Sequence, residues 1–362
     1  MADIAPNRIE ALRDSKILIA LLSVLVIFAM GIILVQMEVV LLPLVIATYL
    51  SYLFKPIVIF LRKRKVPMFI ALIVVLLVVS AIIFGLSAII YSSADAFISA
   101  VPKYQTKLED LIGSIVQFGY GLATEFDLNV NEMDWRSALD ISSITSIFTS
   151  GLGSFLNFFS NSFLILLFMM FILAATGDLT TKVERAFKDK HSLKIASIIK
   201  RIDARVRQYL ITKTLISLVT ATIGVIILVS IGVDFALLWG FLIFVLNFVP
   251  NIGSFLATVL PILIALLQFE GIGPAVLVAI LLVSTQFAMG NVVEPRVMAF
   301  SLNLSPLLVI VSVALWAWIW GIWGMVLAVP IMSTLKIVME HIEPLKPIAY
   351  IMGGRLDVAE AD

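Results

Sequence analysis

The sequence predicts an all-α polytopic membrane protein with about six full transmembrane helices, two broken or re-entrant hydrophobic segments and an extracytoplasmic helical insertion. Hydrophobic residues make up 61% of its 362 positions, charged residues only 14%, and the mean hydropathy is +1.12. These values lie far outside the range of soluble proteins. Apolar runs long enough to cross roughly 30 Å of hydrocarbon recur along the chain, and the segments between them differ sharply in charge.

Residues 1–91 are predicted to form an N-terminal three-span bundle. Four consecutive bases, Arg62 to Lys65, join its second and third spans, and such a loop is typical of the cytoplasmic side. Counting back through two crossings places the N-terminus there as well. Lys55 lies near the basic loop, so we expect its ammonium group to snorkel towards the surface, with a role in a transport pathway as the alternative. The three apolar runs are residues 17–37, 39–61 and 68–91.

Residues 92–157 form the one long polar insertion, with three bases against eight acids. Three crossings from a cytoplasmic start place it outside. Pro102 is expected in the first turn of an amphipathic helix, whose apolar stripe runs from Tyr104 to Phe118. The stripe could pack on the protein's own bundle, on a second copy or on the bilayer surface. Because an uncovered stripe would be an exposed apolar patch, we expect a homo-oligomer.

A fourth span, residues 158–177, is followed by a basic segment at residues 178–208. This segment carries nine bases against four acids, so it is expected on the cytoplasmic side. Its apolar residues recur at helical spacing, which predicts an amphipathic helix on the inner membrane surface until the fifth span turns up near Tyr209. Residues 345–362 are predicted to be a cytoplasmic tail.

Residues 209–344 form the predicted C-terminal core, which contains two interrupted segments. Residues 235–269 carry no charge and are broken at their middle by NFVPNIGS, residues 247–254; residues 304–340 are broken by WGIWG, residues 320–324. Proline removes a backbone donor, and hydrocarbon offers no water to satisfy freed carbonyl groups. Such a break is therefore expected only where protein or a polar cavity lines it. The alternative is a tight turn at the membrane surface.

The two breaks resemble one another in the spacing of glycine and proline. They read Pro250-x-x-Gly253 followed by Pro261, and Gly321-x-x-Gly324 followed by Pro330. Each closes a unit of one span plus a broken segment, and the two units would have opposite orientation. Inverted repeats with broken helices are typical of transporters whose site lies between the repeats near the membrane midplane. This pattern predicts a substrate site formed by Asn247, Pro250, Asn251, Gly253, Ser254, Gly321 and Gly324.

The chemistry of these residues suits a small polar solute. Asn247, Asn251 and Ser254 offer neutral donors and acceptors, which fit a polyhydroxylated molecule and equally a partly dehydrated monovalent cation. A second candidate, for coupling or gating, is Glu294-Pro295-Arg296, where a structural ion pair at a helix end is the alternative. Glu294 is the best candidate for carrying a proton, because the other carboxylates near the spans fall at predicted outer ends.

Enzymatic readings find no support in the sequence. The chain has no cysteine and two histidines, His191 and His341, and it lacks a phosphate-binding G-x-x-x-x-G-K-[ST] loop. We therefore expect no catalytic residue, no metal, no cofactor and no nucleic-acid partner.

Four stretches resemble signatures of the AI-2E family, a family of bacterial transporters named for exporting the autoinducer-2 signal. They are NFVPNIG at 247–253, NVVEPR at 291–296, LNLSP at 302–306 and the tryptophan-rich run at 316–330. The resemblance covers residues 17–344. It implies an inner-membrane secondary transporter that exports small polar molecules like autoinducer-2. A sodium/proton antiporter is the alternative, since other members are described so, and a non-transporting scaffold is the third possibility.

Overall fold

The computed structural model describes residues 8–125, 150, 153, 162–175, 190–250, 252–298 and 304–354. Within these ranges the chain is helical, and the one β pairing is an isolated bridge between Leu304 and Gly353. The helices are α1 Arg8–Gln36, α2 Glu38–Lys63, α3 Met68–Glu125, α4 Ser162–Ala175, α5 Lys190–Ile231, α6 Ala236–Leu246, α7 Ile252–Gln268, α8 Ile272–Phe287, a π-helix Ala288–Val293, α9 Glu294–Val297, α10 Pro306–Glu340, a 3₁₀ turn Glu343–Leu345 and α11 Lys346–Met352.

Among the described residues, five helices are long and apolar enough to cross a membrane. They are Glu38–Lys63, Met68–Gly121, Asp203–Ile231, Ile272–Val297 and Pro306–Glu340. Shorter apolar helices, α4, α6 and α7, pack between them. The prediction of an all-α polytopic membrane protein is confirmed.

The third span and the helix beyond it form one continuous rod. Helix α3 has 58 residues, which corresponds to about 87 Å at 1.5 Å per residue. The expectation that Pro102 begins a separate helix is wrong, since Pro102 lies inside α3. The reason is packing: Ile90, Ala94, Phe97 and Tyr104 are all buried in one core cluster, which holds the chain helical through the junction.

The basic segment and the fifth span also form one helix. Helix α5 runs for 42 residues without the turn expected at Tyr209, which is itself buried. Lys55 of α2 pairs with Asp203 of α5 at 2.9 Å, and both side chains are largely buried. This ion pair gives Lys55 a partner and fastens α5 against α2, while the expected snorkelling of Lys55 stays a prediction.

The first interrupted segment is a helical hairpin made of α6 and α7, which pack against each other. Its open end is tied by one side chain, Gln268. The Oε1 atom of Gln268 accepts from the backbone N–H of Asp234 at 2.7 Å, and its Nε2 donates to the carbonyl of Gly232 at 2.7 Å. Both arms therefore end beside the Ile231 end of α5, and the break at 247–250 is the tip of the hairpin.

The second interrupted segment, α10, also folds back. Trp320 and Gly321 leave helical geometry, and Gly321 adopts φ 59° and ψ −139°, a conformation that glycine tolerates. Val329 is buried in one cluster with Val206 of α5, and Val309, from the other side of the break, packs against this cluster. The open end of this hairpin thus lies at the opposite end of α5 from that of the first hairpin. The two hairpins therefore open towards opposite ends of α5, and the inverted-repeat organisation of this core stays a prediction.

Candidate functional site

The first break is shaped by a glycine that no other residue could replace without movement. Helix α6 ends at Leu246 and α7 begins at Ile252. A Cβ atom added to Gly253 would collide with the carbonyl oxygen of Leu246, so the two arms approach backbone to backbone. Asn247, 5% exposed, donates from Nδ2 to the Oγ of Ser217 at 3.1 Å and so fixes the tip against α5. The predicted site residue Asn251 lies outside the described residues.

The second break repeats this arrangement. A Cβ atom added to Gly324 would collide with the carbonyl oxygen of Trp316, just as Gly253 meets Leu246. The indole Nε1 of Trp320 donates to the carbonyl of Leu34 at 3.1 Å and holds the tip against α1. The two tips touch the same core, because Val249 shares a buried cluster with Trp316 and Trp320.

A cavity of about 550 Å³ opens at the first break, between α5, α7, α8 and the π-helix. Of the predicted site residues, Asn247, Pro250, Ser254 and Glu294 line it. Gly253, Gly321 and Gly324 are not among the described lining residues. Gly253 and Gly324 lie at the two close backbone approaches, and Gly321 adopts the positive φ at the second break. The polar lining side chains include Lys213, Asn247, Ser254, Gln286, Asn291 and Glu294.

An ion pair closes one side of this cavity. The ammonium Nζ of Lys213 lies 2.5 Å from Oε1 of Glu294, with side-chain exposures of 5% and 25%. Burying both charges requires their mutual attraction, because either one alone would pay a large desolvation cost. Pro295 and Arg296, the other two residues of the predicted gate, are exposed and do not line the cavity.

Lys213 is a candidate site residue that the sequence patterns did not single out. It sits in α5 between Arg207 and Asp234, and it is the single charged residue in that interval. A lone basic residue inside a predicted span marks a functional candidate by itself, since an intramembrane charge is expensive. That signal was present in the sequence; the identity of its partner, 81 positions away, was not.

The π-helix directly precedes Glu294. Residues 288–293 make the wider turn, and two of them, Gly290 and Asn291, line the cavity. Single π turns are rare and recur at functional sites, because they re-aim the side chains that follow. Here the wider turn lets Gln286, Asn291 and Glu294 all contribute to one wall.

A second polar cluster lies at the open end of the first hairpin. The hydroxyl of Tyr104 donates to Oδ2 of Asp234 at 2.6 Å, and Nζ of Lys107 donates to the carbonyl of Gln268 at 3.1 Å. Burial and the Asp234 carboxylate raise the pKa of Tyr104 above its ordinary value. Through these bonds the extension of α3 is fastened to both arms of the hairpin whose tip forms the cavity.

The family model that matches this chain is that of the AI-2E family transporter, over residues 22–343. The chain is 30% identical over 314 residues to the AI-2 transport protein TqsA of Escherichia coli K12, covering 86% of this chain and 88% of that protein. It is equally 30% identical over 315 residues to a proposed transport protein of Haemophilus influenzae, covering 86% and 89%. The similarity to YrrI of Bacillus subtilis, named as a proposed transport protein, is 25% over 316 residues, covering 83% and 85%.

Proposed function

The chain belongs to the AI-2E transporter family, and on that premise we propose that it is a secondary transporter which exports a small polar molecule like autoinducer-2 across the bacterial inner membrane. A family match over residues 22–343 supports transport as the general function. The name of the E. coli relative, AI-2 transport protein, suggests the cargo. The cavity at the first break is the proposed binding site.

The observation that carries this proposal is a polar cavity at a helix break inside an otherwise apolar bundle. Helix α6 has 11 residues, so the tip lies about 16 Å from the open end of the hairpin, near half the hydrocarbon thickness. A volume of about 550 Å³ suits a small molecule, and the lining mixes apolar walls with a few polar groups. A tight turn at the membrane surface would have neither this depth nor a cavity lined by charged and amide side chains.

Coupling to a proton is assigned, within the same proposal, to Glu294. Its carboxylate contacts Lys213 in the cavity wall, so a change in its protonation would release the ammonium group and change the charge that the cargo meets. The ion pair would then have two states. In the closed state Lys213 is bound to Glu294, and in the separated state the two side chains are apart. Pro295 and Arg296 remain proposed as the gate that follows Glu294.

A second candidate function, sodium/proton or other cation/proton antiport, is favoured by the same ion pair. A monovalent cation bound to the Glu294 carboxylate would displace the ammonium of Lys213, which in a buried site would then release its proton. One cation would be exchanged for one proton without leaving an unpaired charge. The third possibility, a non-transporting scaffold, gives no role to a lined cavity.

We further propose the orientation and assembly that the charge pattern predicts. Both termini, residues 62–65 and residues 178–208 would be cytoplasmic, with residues 92–157 outside. On α3, Tyr104 packs on the protein's own core, whereas Phe118 is 70% exposed. A homo-oligomer would cover this outer part of the stripe, and a native mass spectrum in mild detergent that shows monomer alone would contradict it.

The experiment that tests the function is flux in reconstituted vesicles. Purified protein is assayed for movement of autoinducer-2, Na⁺ and Li⁺, with and without imposed proton and sodium gradients. Autoinducer-2 flux that depends on a gradient supports the exporter, and cation flux with proton counterflow supports the antiporter. Absence of any flux for all three would contradict both.

A further inference from the structure

Gln286 has a buried amide that no other described residue satisfies. It lies on α8, two turns before Glu294, and its side chain lines the cavity. Its Nε2 atom is buried, and it finds no hydrogen-bond partner among the residues that the structure describes. A buried donor without a partner loses its hydration without compensation, and native proteins keep few of them. Because Gln286 also lines the cavity, a ligand bound there could accept the hydrogen bond that this nitrogen has to give.

The charges around Gln286 narrow the chemistry of that ligand. Lys213 and Glu294, the charged residues of the wall, neutralise one another at 2.5 Å. While this ion pair is closed, a solute with net charge would meet no free counter-charge there, and burying it would be costly. An uncharged solute enters without that cost.

The hydrogen-bonding groups of the cavity wall narrow the chemistry of the ligand further. The amide Nε2 of Gln286 is a donor, so it needs an acceptor oxygen on the solute. The Glu294 carboxylate accepts only, and it already accepts from Lys213, so a solute group that contacts it must be a donor such as a hydroxyl. Val283 and Phe287 line the same wall and leave apolar surface for a short carbon skeleton.

We propose that Gln286 is a specificity-determining residue, whose amide holds an acceptor oxygen of a small uncharged solute that also carries a hydroxyl group. This assignment rests on the proposed transport function and deepens it, since it names the residue that reads the solute. It gives Gln286 a role that neither the breaks nor the ion pair supplies.

The first test is transport kinetics with autoinducer-2 as the probe. Q286L keeps the approximate volume and removes the donor, so the half-saturating concentration should rise about tenfold, which corresponds to one lost hydrogen bond, while the maximal rate changes little. The control is Q117L, because Gln117 is exposed on the α3 extension, far along the chain from the cavity lining. Unchanged half-saturation in Q286L would overturn the proposal.

The second test needs no cargo. If Gln286 serves a ligand, its amide is unpaired in the empty protein, and Q286L should melt at the same temperature or higher than wild type in detergent. If Gln286 instead makes a structural hydrogen bond, Q286L should melt lower, and the proposal fails. A wild-type protein that does not move autoinducer-2 would count against the proposed cargo, and the melting comparison would still decide the role of Gln286.

Discussion

The Nζ atom of Lys213 lies 2.5 Å from Oε1 of Glu294, so two charges 81 positions apart in the sequence meet in the wall of the candidate site. Lys213 belongs to the fifth span and Glu294 follows the π-helix, so the pair joins two elements that border the cavity. The first break positions the cavity, and this ion pair places two opposite charges in its wall.

Removing one member of this pair should destabilise the protein. K213M or E294M alone leaves the other charge buried without a partner, and each should cost about 3–5 kcal/mol. The double variant K213M/E294M removes both charges and should recover most of that stability, but it should not transport. Unfolding in detergent and vesicle flux, measured on the same preparations, check both parts. Additive losses of stability in the double variant would show that the two residues do not act as a pair.

The two glycines at the breaks should be intolerant of a methyl group. In G253A and G324A the new Cβ would meet a backbone carbonyl, of Leu246 or Trp316, that cannot rotate away. We expect each to cost about 1–3 kcal/mol, as overpacking does. The matched control is G85A, because a Cβ at Gly85 in α3 has nothing within 4 Å. Thermal unfolding in detergent gives the Tm of the three variants. A Tm for G253A no lower than that of G85A would contradict the close approach of the two arms.

The sequence predicts the breaks well and the cavity wall less well. Pro250, Gly253 and Gly321 mark the hairpin tips, because proline and glycine act on the local backbone and leave a local signal. The partnership of Lys213 with Glu294 has no local signal, since it depends on how α5 packs against the π-helix. Continuity of α3 through Pro102 was missed for the same reason: tertiary burial of the flanking residues overrides a local helix-start signal.

The hydrogen bond from Tyr104 to Asp234 should stabilise the open end of the first hairpin. Y104F removes the donor and keeps the ring, so it should cost about 1.5–3 kcal/mol near pH 7, as for other hydrogen bonds to a charged group. Chemical denaturation of the two proteins measures this difference. Tyr91 is exposed, so Y91F is the control. If Y104F loses less unfolding free energy than Y91F, the hydrogen bond to Asp234 does not stabilise the protein.

The pH dependence of the same bond has a definite sign. The pKa of Tyr104 is raised in the folded protein, by burial and by Asp234, above its unfolded value of about 10. Its contribution is therefore complete below about pH 10 and is lost as the pH rises through the folded pKa. Wild type should lose stability more steeply than Y104F as the pH rises above about 10. Parallel curves for the two proteins would contradict the raised pKa.

Single introduced cysteines test the proposed membrane orientation. The chain has no native cysteine, so no other residue of the protein would react with a thiol reagent. An impermeant thiol reagent added to intact cells should label F118C and should not label R64C. Both positions are exposed, so the difference would reflect the side of the membrane and not burial. Labelling of R64C from outside would reverse the orientation.

The central claim is that solute passes through the cavity at the tip of the first hairpin, and blocking that cavity tests it most directly. Val259 lines the cavity, whereas Val276 is 46% exposed on α8 and is not among the lining residues. V259C and V276C are reconstituted, treated with a bulky thiol reagent and assayed for autoinducer-2 and cation flux. The account predicts that modification stops flux in V259C, that cargo slows this modification, and that V276C keeps its flux. Undiminished flux in fully modified V259C would contradict it.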